Sequence, residues 1–133
     1  MVKIMARCDG AHQCTLTHEE GATLRTDAPK DIGGDASAFS PTDLVAAGLA
    51  SCILTTIAMF AARHGLDITG ATARAQKEMA SGPRRIGSLP VVVTLPDSVP
   101  MEMRESLERV GRQCPVHASL RSDIDAPISY RYG

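Results

Sequence analysis

The feature that most constrains this chain is an uncharged run of 19 residues, "LVAAGLASCILTTIAMFAA", at positions 44–62. The residues before it are typical of a helix start, because Ser40 suits the N-cap and Pro41 the first helical position. Asp43 can reach back to the Ser40 amide, as in a capping box. Gly65 is a stop signal, so the sequence predicts one helix of about 24 residues, roughly 36 Å long.

Two environments suit a helix that is apolar on almost every side. A membrane span is one alternative, because the length is sufficient. However, Ser51, Thr55 and Thr56 interrupt the run, and no cluster of positive charges flanks it, which favours a helix buried on several sides within a protein. A sheet can cover one side of it, and a second subunit is the simplest cover for the other. We therefore expect a homodimer that does not enter a membrane.

Short segments broken by turns precede the helix. Within residues 2–26, Asp9–Gly10 and Glu20–Gly21 are turn signals, and "HQCTLTH" and "TLRTD" alternate partly between apolar and polar side chains. This pattern predicts two or three antiparallel strands. The segment "DAPKDIGGDASAFS" that follows is rich in Gly, Pro, Asp and Ser, so it is expected to be a loop leading into the helix.

The residues after the helix predict more strands and two shorter helices. "LDITGATARAQKEMA" and "RIGSLPVVVTLP" are strand-like and are joined by a Ser-Gly-Pro turn. Ser98 is expected to cap a helix that has Pro100 near its start and runs to about Gln113. Pro115 ends that helix, and "VHASLRS" predicts a short second one. "IDAPISYRY" predicts a last strand that either lies at a sheet edge or starts after Pro127.

This order of elements indicates an α+β fold with antiparallel sheets and a long buried central helix. The length of 133 residues fits a single domain, residues 1–133. A net charge of -1 leaves no basic surface for nucleic acid or an anionic membrane, and 3% aromatic residues with no Trp argue against base stacking. The start "MVKIMARCDG" has no apolar signal segment, so we expect a cytoplasmic protein.

The chain has four cysteines: Cys8, Cys14, Cys52 and Cys114. Their spacings form no zinc signature, and no C-x-x-C occurs. A metal site made by the first two cysteines with His12 and His18 is a weak alternative. We therefore predict neither a metal nor a cofactor.

Two of the cysteines lie in informative places. Cys52 is in the middle of the long helix, and Cys114 directly precedes Pro115. Taken alone, either cysteine is most simply a small apolar residue that fills the core. If Cys114 caps the short helix that Pro115 begins, the free amides there would stabilise its thiolate.

The segment "FSPTDLVAAGLASC", followed by "QCPVHASLRSDID", resembles the OsmC/Ohr family of thiol-dependent peroxidases. In that family one cysteine lies on a long central helix, and a second lies in a later Cys-Pro motif; here the two are 62 residues apart. The segment "DAPKDIGG" is also similar to the family's approach to the helix. The resemblance extends from about residue 10 to residue 133.

The resemblance implies two intertwined α+β subunits, with active sites at the dimer interface, and a role in the oxidative stress response. It implies that the Cys52 thiolate attacks the O–O bond of an organic hydroperoxide and becomes a sulfenic acid. Cys114 would then condense with Cys52 to form a disulfide. A thiol or dithiol reductant would restore both thiols by exchange.

The family's peroxidases also place a glutamate directly after the proline that starts the helix. This chain has Thr42 there, followed by Asp43. Asp43 and Cys52 are nine residues apart, about 180° around an ideal helix. Asp43 is therefore expected either to cap the helix or to act across the dimer.

The resemblance further implies an arginine from an N-terminal strand beside the reactive thiolate. The expected position falls near Gln13, which carries no charge. Arg7 and Arg25 are the nearby candidates, and a solvent-exposed position is the alternative for both.

His117, three residues after Cys114, could tune that thiol or donate a proton; a surface or helix-end histidine is the alternative. The missing glutamate and the uncharged Gln13 favour a second functional hypothesis. In it, the protein is a non-catalytic OsmC-like dimer that binds a small apolar or sulfur-containing ligand at the subunit interface.

Overall fold

The computed structural model describes all 133 residues. Its contacts group the chain into two compact units, Met1–Val45 and Ala46–Gly133. A single domain over residues 1–133 stays a prediction. In chain order the elements are β1 (Ile4–Gly10), β2 (Gln13–His18), β3 (Thr23–Thr26), a 3-10 turn (Lys30–Ile32), α1 (Pro41–Arg63), β4 (Thr72–Ala75), β5 (Glu78–Ala80), β6 (Arg85–Ser88), β7 (Val91–Leu95), α2 (Met101–Gly111), α3 (Pro115–Ala118) and β8 (Ile128–Tyr132).

The first unit contains an antiparallel sheet in the order β1-β2-β3, as the sequence predicts. The β1–β2 register runs from Ile4 opposite His18 to Cys8 opposite Cys14, after which it shifts by one residue. The chain reverses just beyond that shift, at Gly10, whose φ of 123° is a conformation that favours glycine.

A buried carboxylate fixes the loop that follows β3. The Asp27 side chain accepts hydrogen bonds from the Ala28 amide at 2.8 Å, from the Ser37 amide at 2.9 Å and from the Ser37 hydroxyl at 2.6 Å. His12 Nδ1 lies 2.6 Å from the same carboxylate. The Ser37 hydrogen bonds in particular hold the pKa of Asp27 well below its usual range.

A reciprocal capping box begins α1. The Ser40 amide donates to the Asp43 carboxylate at 2.9 Å, and the Asp43 amide donates to the Ser40 hydroxyl at 3.1 Å. At the other end, Gly65 has a φ of 69°, and the Leu66 amide donates to the Ala61 carbonyl at 2.8 Å. Both predicted ends of the helix are confirmed.

The second unit is built on the buried face of α1, which consists of residues spaced three or four apart: Ala46, Leu49, Ile53, Ile57 and Ala61. They belong to one core with the inward side chains of β7, which are Val91, Val93 and Leu95. Strand β7 pairs antiparallel with β4 and parallel with the edge strand β8, and β5 pairs with β6 in a separate hairpin. The predicted α+β fold with antiparallel sheets is confirmed, with one parallel pair added.

The start of α2 differs from the prediction. The helix begins at Met101, with Pro100 at the N-cap position, and no side chain caps it, so the expected cap by Ser98 is wrong. The predicted short helix after Pro115 and the last strand after Pro127 are confirmed. By length and composition alone, α1, with a mean hydropathy of 2.1, could cross a membrane. This is weak evidence, because core helices of soluble proteins pass the same test.

Gly111 ends α2 where three elements meet. A methyl group at this position would lie 3.0 Å from Ile57 Cδ1 and even closer to the Tyr130 hydroxyl. That hydroxyl is fixed, because it donates to the Glu108 carbonyl at 2.9 Å. Glycine is therefore needed here for close packing.

We expect Gly111→Ala to lower the free energy of unfolding by about 1–3 kcal/mol, because the added methyl overpacks this contact. Denaturant unfolding measures the change. Glu105→Ala, on the exposed side of the same helix, is the matched control and should change stability by less than about 0.5 kcal/mol. Equal effects of the two substitutions would contradict the close packing at Gly111.

Candidate functional site

Cys52 and Cys114 meet in the second unit. Cys52 lies in α1 next to the buried Ile53 and is partly exposed, whereas Cys114 precedes α3 and is fully buried. Both are free thiols, and the Cys114 side chain hydrogen-bonds to Cys52. The fold thus brings together two cysteines that are 62 residues apart in the sequence.

The surroundings of Cys52 favour its thiolate. Burial alone raises its pKa, but hydrogen bonds from the Cys114 thiol, the Val116 amide and the Thr56 hydroxyl more than offset this, so the pKa lies below that of an ordinary cysteine. The Thr56 hydroxyl has a single proton, and it also lies 2.8 Å from the Cys52 carbonyl. That proton is therefore shared between the carbonyl and the thiolate.

The surroundings of Cys114 favour the protonated thiol. Burial raises its pKa first, and the neighbouring Cys52 raises it further. The His117 and Val116 amides at the start of α3 only partly offset these effects. The amides at the start of α3 therefore favour the Cys114 thiolate, as expected for a residue at this helix start, but burial and the neighbouring Cys52 outweigh them, so the pKa is raised overall.

The two thiols thus have different chemical roles open to them. Cys52 is the acceptor of the hydrogen bond and the more acidic thiol, so it is the better nucleophile near neutral pH. Cys114 holds its proton and lies within contact of the Cys52 sulfur. A nucleophilic thiolate beside a second, protonated thiol can be oxidised and then form a disulfide.

The two candidate residues at the start of α1, Thr42 and Asp43, both contact Ser40. Asp43 caps α1 through its hydrogen bond with the Ser40 amide, which is the local alternative that the spacing suggests. The Thr42 hydroxyl lies 3.2 Å from the Ser40 hydroxyl in the same cap.

The three N-terminal candidates lie on the β1-β2-β3 sheet. The exposed Arg7 binds Asp9 at 2.9 Å, and Arg25 lies opposite Thr15, the residue that also faces Arg7 from β2. Gln13 pairs with Gly10 at the turn. The hydrogen-bond donors that lower the Cys52 pKa carry no positive charge.

The His117 ring has a structural partner. Its Nε2 lies 2.9 Å from the Ala126 carbonyl, so this nitrogen carries the proton and ties α3 to the segment before β8. It is the backbone amide of His117, not its ring, that lowers the pKa of Cys114.

One cluster of possible metal ligands differs from the set considered from the sequence. Ligand atoms of His12, Asp27 and Asp35 lie within 4.8 Å of one another, without either Cys8 or Cys14. Both Asp27 oxygens, however, already accept hydrogen bonds from the loop. These hydrogen bonds explain the buried Asp27 carboxylate as a group that stabilises the loop.

Sequence reasoning missed two donors to Cys52. The Thr56 hydroxyl is one helical turn after Cys52, a spacing that places the two side chains on the same face. The Val116 amide is the first backbone N–H after Cys114, because Pro115 has none. Both signals are present in the sequence, but only the tertiary contact between the cysteines makes them relevant.

The fold that carries these two thiols is shared with known proteins. The family model described as "OsmC-like protein" matches residues 34–129. A solved structure from Psychrobacter arcticus 273-4, described as an osmotic stress induced and detoxification response protein, is 33% identical with a TM-score of 0.91, and the match covers 98% of this chain and 96% of that one. The chain belongs to the OsmC-like family.

More distant structures have the same fold. An organic hydroperoxide resistance protein from Legionella pneumophila is 20% identical with a TM-score of 0.75, covering 98% of this chain and 96% of that one. One from Bacillus subtilis is 21% identical with a TM-score of 0.71, and the match covers 98% of each chain. The search of curated proteins found no match.

We expect Cys114→Ala to raise the apparent pKa of Cys52, because the substitution removes the thiol that donates to it. The rate at which iodoacetamide alkylates Cys52, followed by peptide mass spectrometry across pH, measures this pKa. Near neutral pH the variant should react more slowly. Cys8→Ala is the control and should leave the titration unchanged; an unaltered midpoint in Cys114→Ala would contradict the hydrogen bond.

Proposed function

We propose that this protein is a thiol-dependent peroxidase that reduces organic hydroperoxides in the cytoplasm. A hydroperoxide-resistance role is supported by membership of the OsmC-like family and by the fold shared with organic hydroperoxide resistance proteins. The observation that carries the proposal is the contact between the more acidic Cys52 and the protonated Cys114.

The first step is oxygen transfer to Cys52. Its thiolate attacks the outer oxygen of ROOH, the O–O bond breaks, and the alkoxide takes a proton from water to leave as ROH. Cys52 becomes a sulfenic acid. Three uncharged donors, on Cys114, Val116 and Thr56, keep the thiolate available for this attack.

The second step closes a disulfide. The Cys114 thiol attacks the sulfenic sulfur, a Cys52–Cys114 bond forms, and water leaves with the thiol proton. A small dithiol then reduces this disulfide in two exchange steps and departs as its own cyclic disulfide. The contact between the two thiols in the reduced chain supports rapid closure.

We expect Cys52→Ser to abolish hydroperoxide consumption, because no other thiol receives the same set of donors. Cumene hydroperoxide consumption in the presence of a dithiol measures this. Without the dithiol, Cys114→Ser should react once per chain and then stop, with a sulfenic acid trapped on Cys52 by dimedone. Cys8→Ser is the matched control, expected to retain full turnover. Unchanged turnover of Cys52→Ser would overturn the proposal.

The second candidate is a non-catalytic dimer that binds a small apolar or sulfur-containing ligand. It is favoured by the uncharged nature of the donors around Cys52 and by Thr42 at the position of the family's glutamate. Binding of a small thiol that is unchanged in Cys52→Ser, together with no hydroperoxide consumption by the natural chain, would select this candidate.

We also propose that the chain forms a homodimer through the exposed side of α1. That side has small and apolar residues at Ser51, Thr55, Ala58, Met59 and Ala62, opposite the buried stripe. Met59 is 55% exposed, which leaves a large apolar side chain in water. A second copy of the same helix would cover it.

We expect Ala58→Glu to convert the dimer into a monomer, because it places a charge in the middle of this surface. Sedimentation velocity of the natural chain and the variant measures the change. Met101→Glu, at an exposed position on α2, is the control and should remain dimeric. A natural chain that sediments as a monomer would contradict the dimer.

A further inference from the structure

The other two cysteines, Cys8 and Cys14, face each other across the β1–β2 hairpin. They are direct partners in the register, and both are free thiols. Residues directly opposite each other in antiparallel strands project to the same face of the sheet. The sheet therefore aligns two thiols that the proposed peroxidase mechanism does not use.

The spacing of this pair suits a disulfide. Residues directly opposite in antiparallel strands have Cα atoms about 4.5–5.5 Å apart. Disulfides span Cα distances of about 4.4–6.8 Å, so the bond needs little or no backbone movement. Strand β3 pairs with the other edge of β2 and places Thr26 opposite Cys14, which holds the central strand in register.

Packing does not explain the position of Cys8. Cysteine is among the most buried residue types, yet Cys8 is exposed, and Cys14 is half-buried. Metal binding does not explain it either, because the nearby group of possible ligands consists of His12, Asp27 and Asp35. An accessible thiol with a partner directly opposite is suited to exchange with small disulfides.

We propose that Cys8 and Cys14 form a second dithiol–disulfide centre, which exchanges with small-molecule disulfides of the type R–S–S–R. The Cys8 thiolate attacks one sulfur, the R–S–S–R bond breaks, and the first RS⁻ leaves and takes a proton from water. Cys14 then loses its proton to water and attacks the Cys8 sulfur of the mixed disulfide. The second RS⁻ leaves and is protonated, so two protein thiols are oxidised and one small disulfide becomes two thiols.

The test uses oxidised glutathione and a chain with Cys52→Ser and Cys114→Ser, so the outcome does not depend on the proposed peroxidase. Trypsin cleaves after Arg7 and Arg25, which leaves both remaining cysteines in one peptide, residues 8–25. After exchange and alkylation of residual thiols, we expect this peptide to be two hydrogens lighter than the dithiol, to carry no glutathione, and to show both thiols lost.

The matched control keeps the number of thiols and moves one of them to the other face of the sheet, by Cys14→Thr combined with Thr15→Cys. This chain should retain glutathione as a mixed disulfide, because its two thiols point to opposite faces. Circular dichroism checks that each variant folds, and the same peptide from the natural chain provides a second reading.

Three outcomes would overturn the proposal. The natural pair could remain reduced after exposure to oxidised glutathione. It could retain glutathione to the same extent as the control, or it could form a disulfide between two chains, visible as a doubled mass without reductant.

Discussion

The packing of one face of α1 against the core of the second unit determines where its chemistry can occur. Five side chains spaced three or four apart bury this face against β7 and its neighbours. Cys52 is adjacent to Ile53, at the edge of the buried stripe, so its sulfur meets Cys114 while remaining partly exposed. A helix rotation that buried Cys52 fully would raise the cost of its thiolate and close its access to a substrate.

The two thiols differ although they are the same functional group, and the difference arises from position. Cys52 accepts hydrogen bonds from three donors, whereas Cys114 is buried and lies beside the developing charge of Cys52. Pro115 has no amide N–H to donate, so the first backbone donor of α3 is the Val116 amide. Uncharged hydrogen-bond donors thus provide part of the stabilisation of the Cys52 thiolate that a positively charged side chain would otherwise provide.

Short sequence patterns predicted the secondary-structure elements well where neighbouring residues determine them. They predicted less well those features that depend on tertiary packing. The capping box of Ser40 and Asp43, the stop at Gly65 and the strand after Pro127 all follow from short sequence patterns. Ser98, two residues before Pro100, also indicated a helix start, yet Pro100 takes the N-cap position and α2 starts at Met101. The shift in Cys114 could not be predicted, because the amides of α3 are visible in the sequence but the depth of burial that outweighs them is not.

The unequal acidity of Cys52 and Cys114 also has an electrochemical consequence. If the pair closes to a disulfide as proposed, oxidation of two protonated thiols releases two protons for two electrons. Once Cys52 is already a thiolate, only one proton is released. The midpoint potential then falls by about 30 mV per pH unit, half the slope of an ordinary dithiol, over the range in which Cys114 keeps its proton. The hydrogen bonds to Cys52 therefore make the driving force for disulfide formation less sensitive to the acidity of the surroundings.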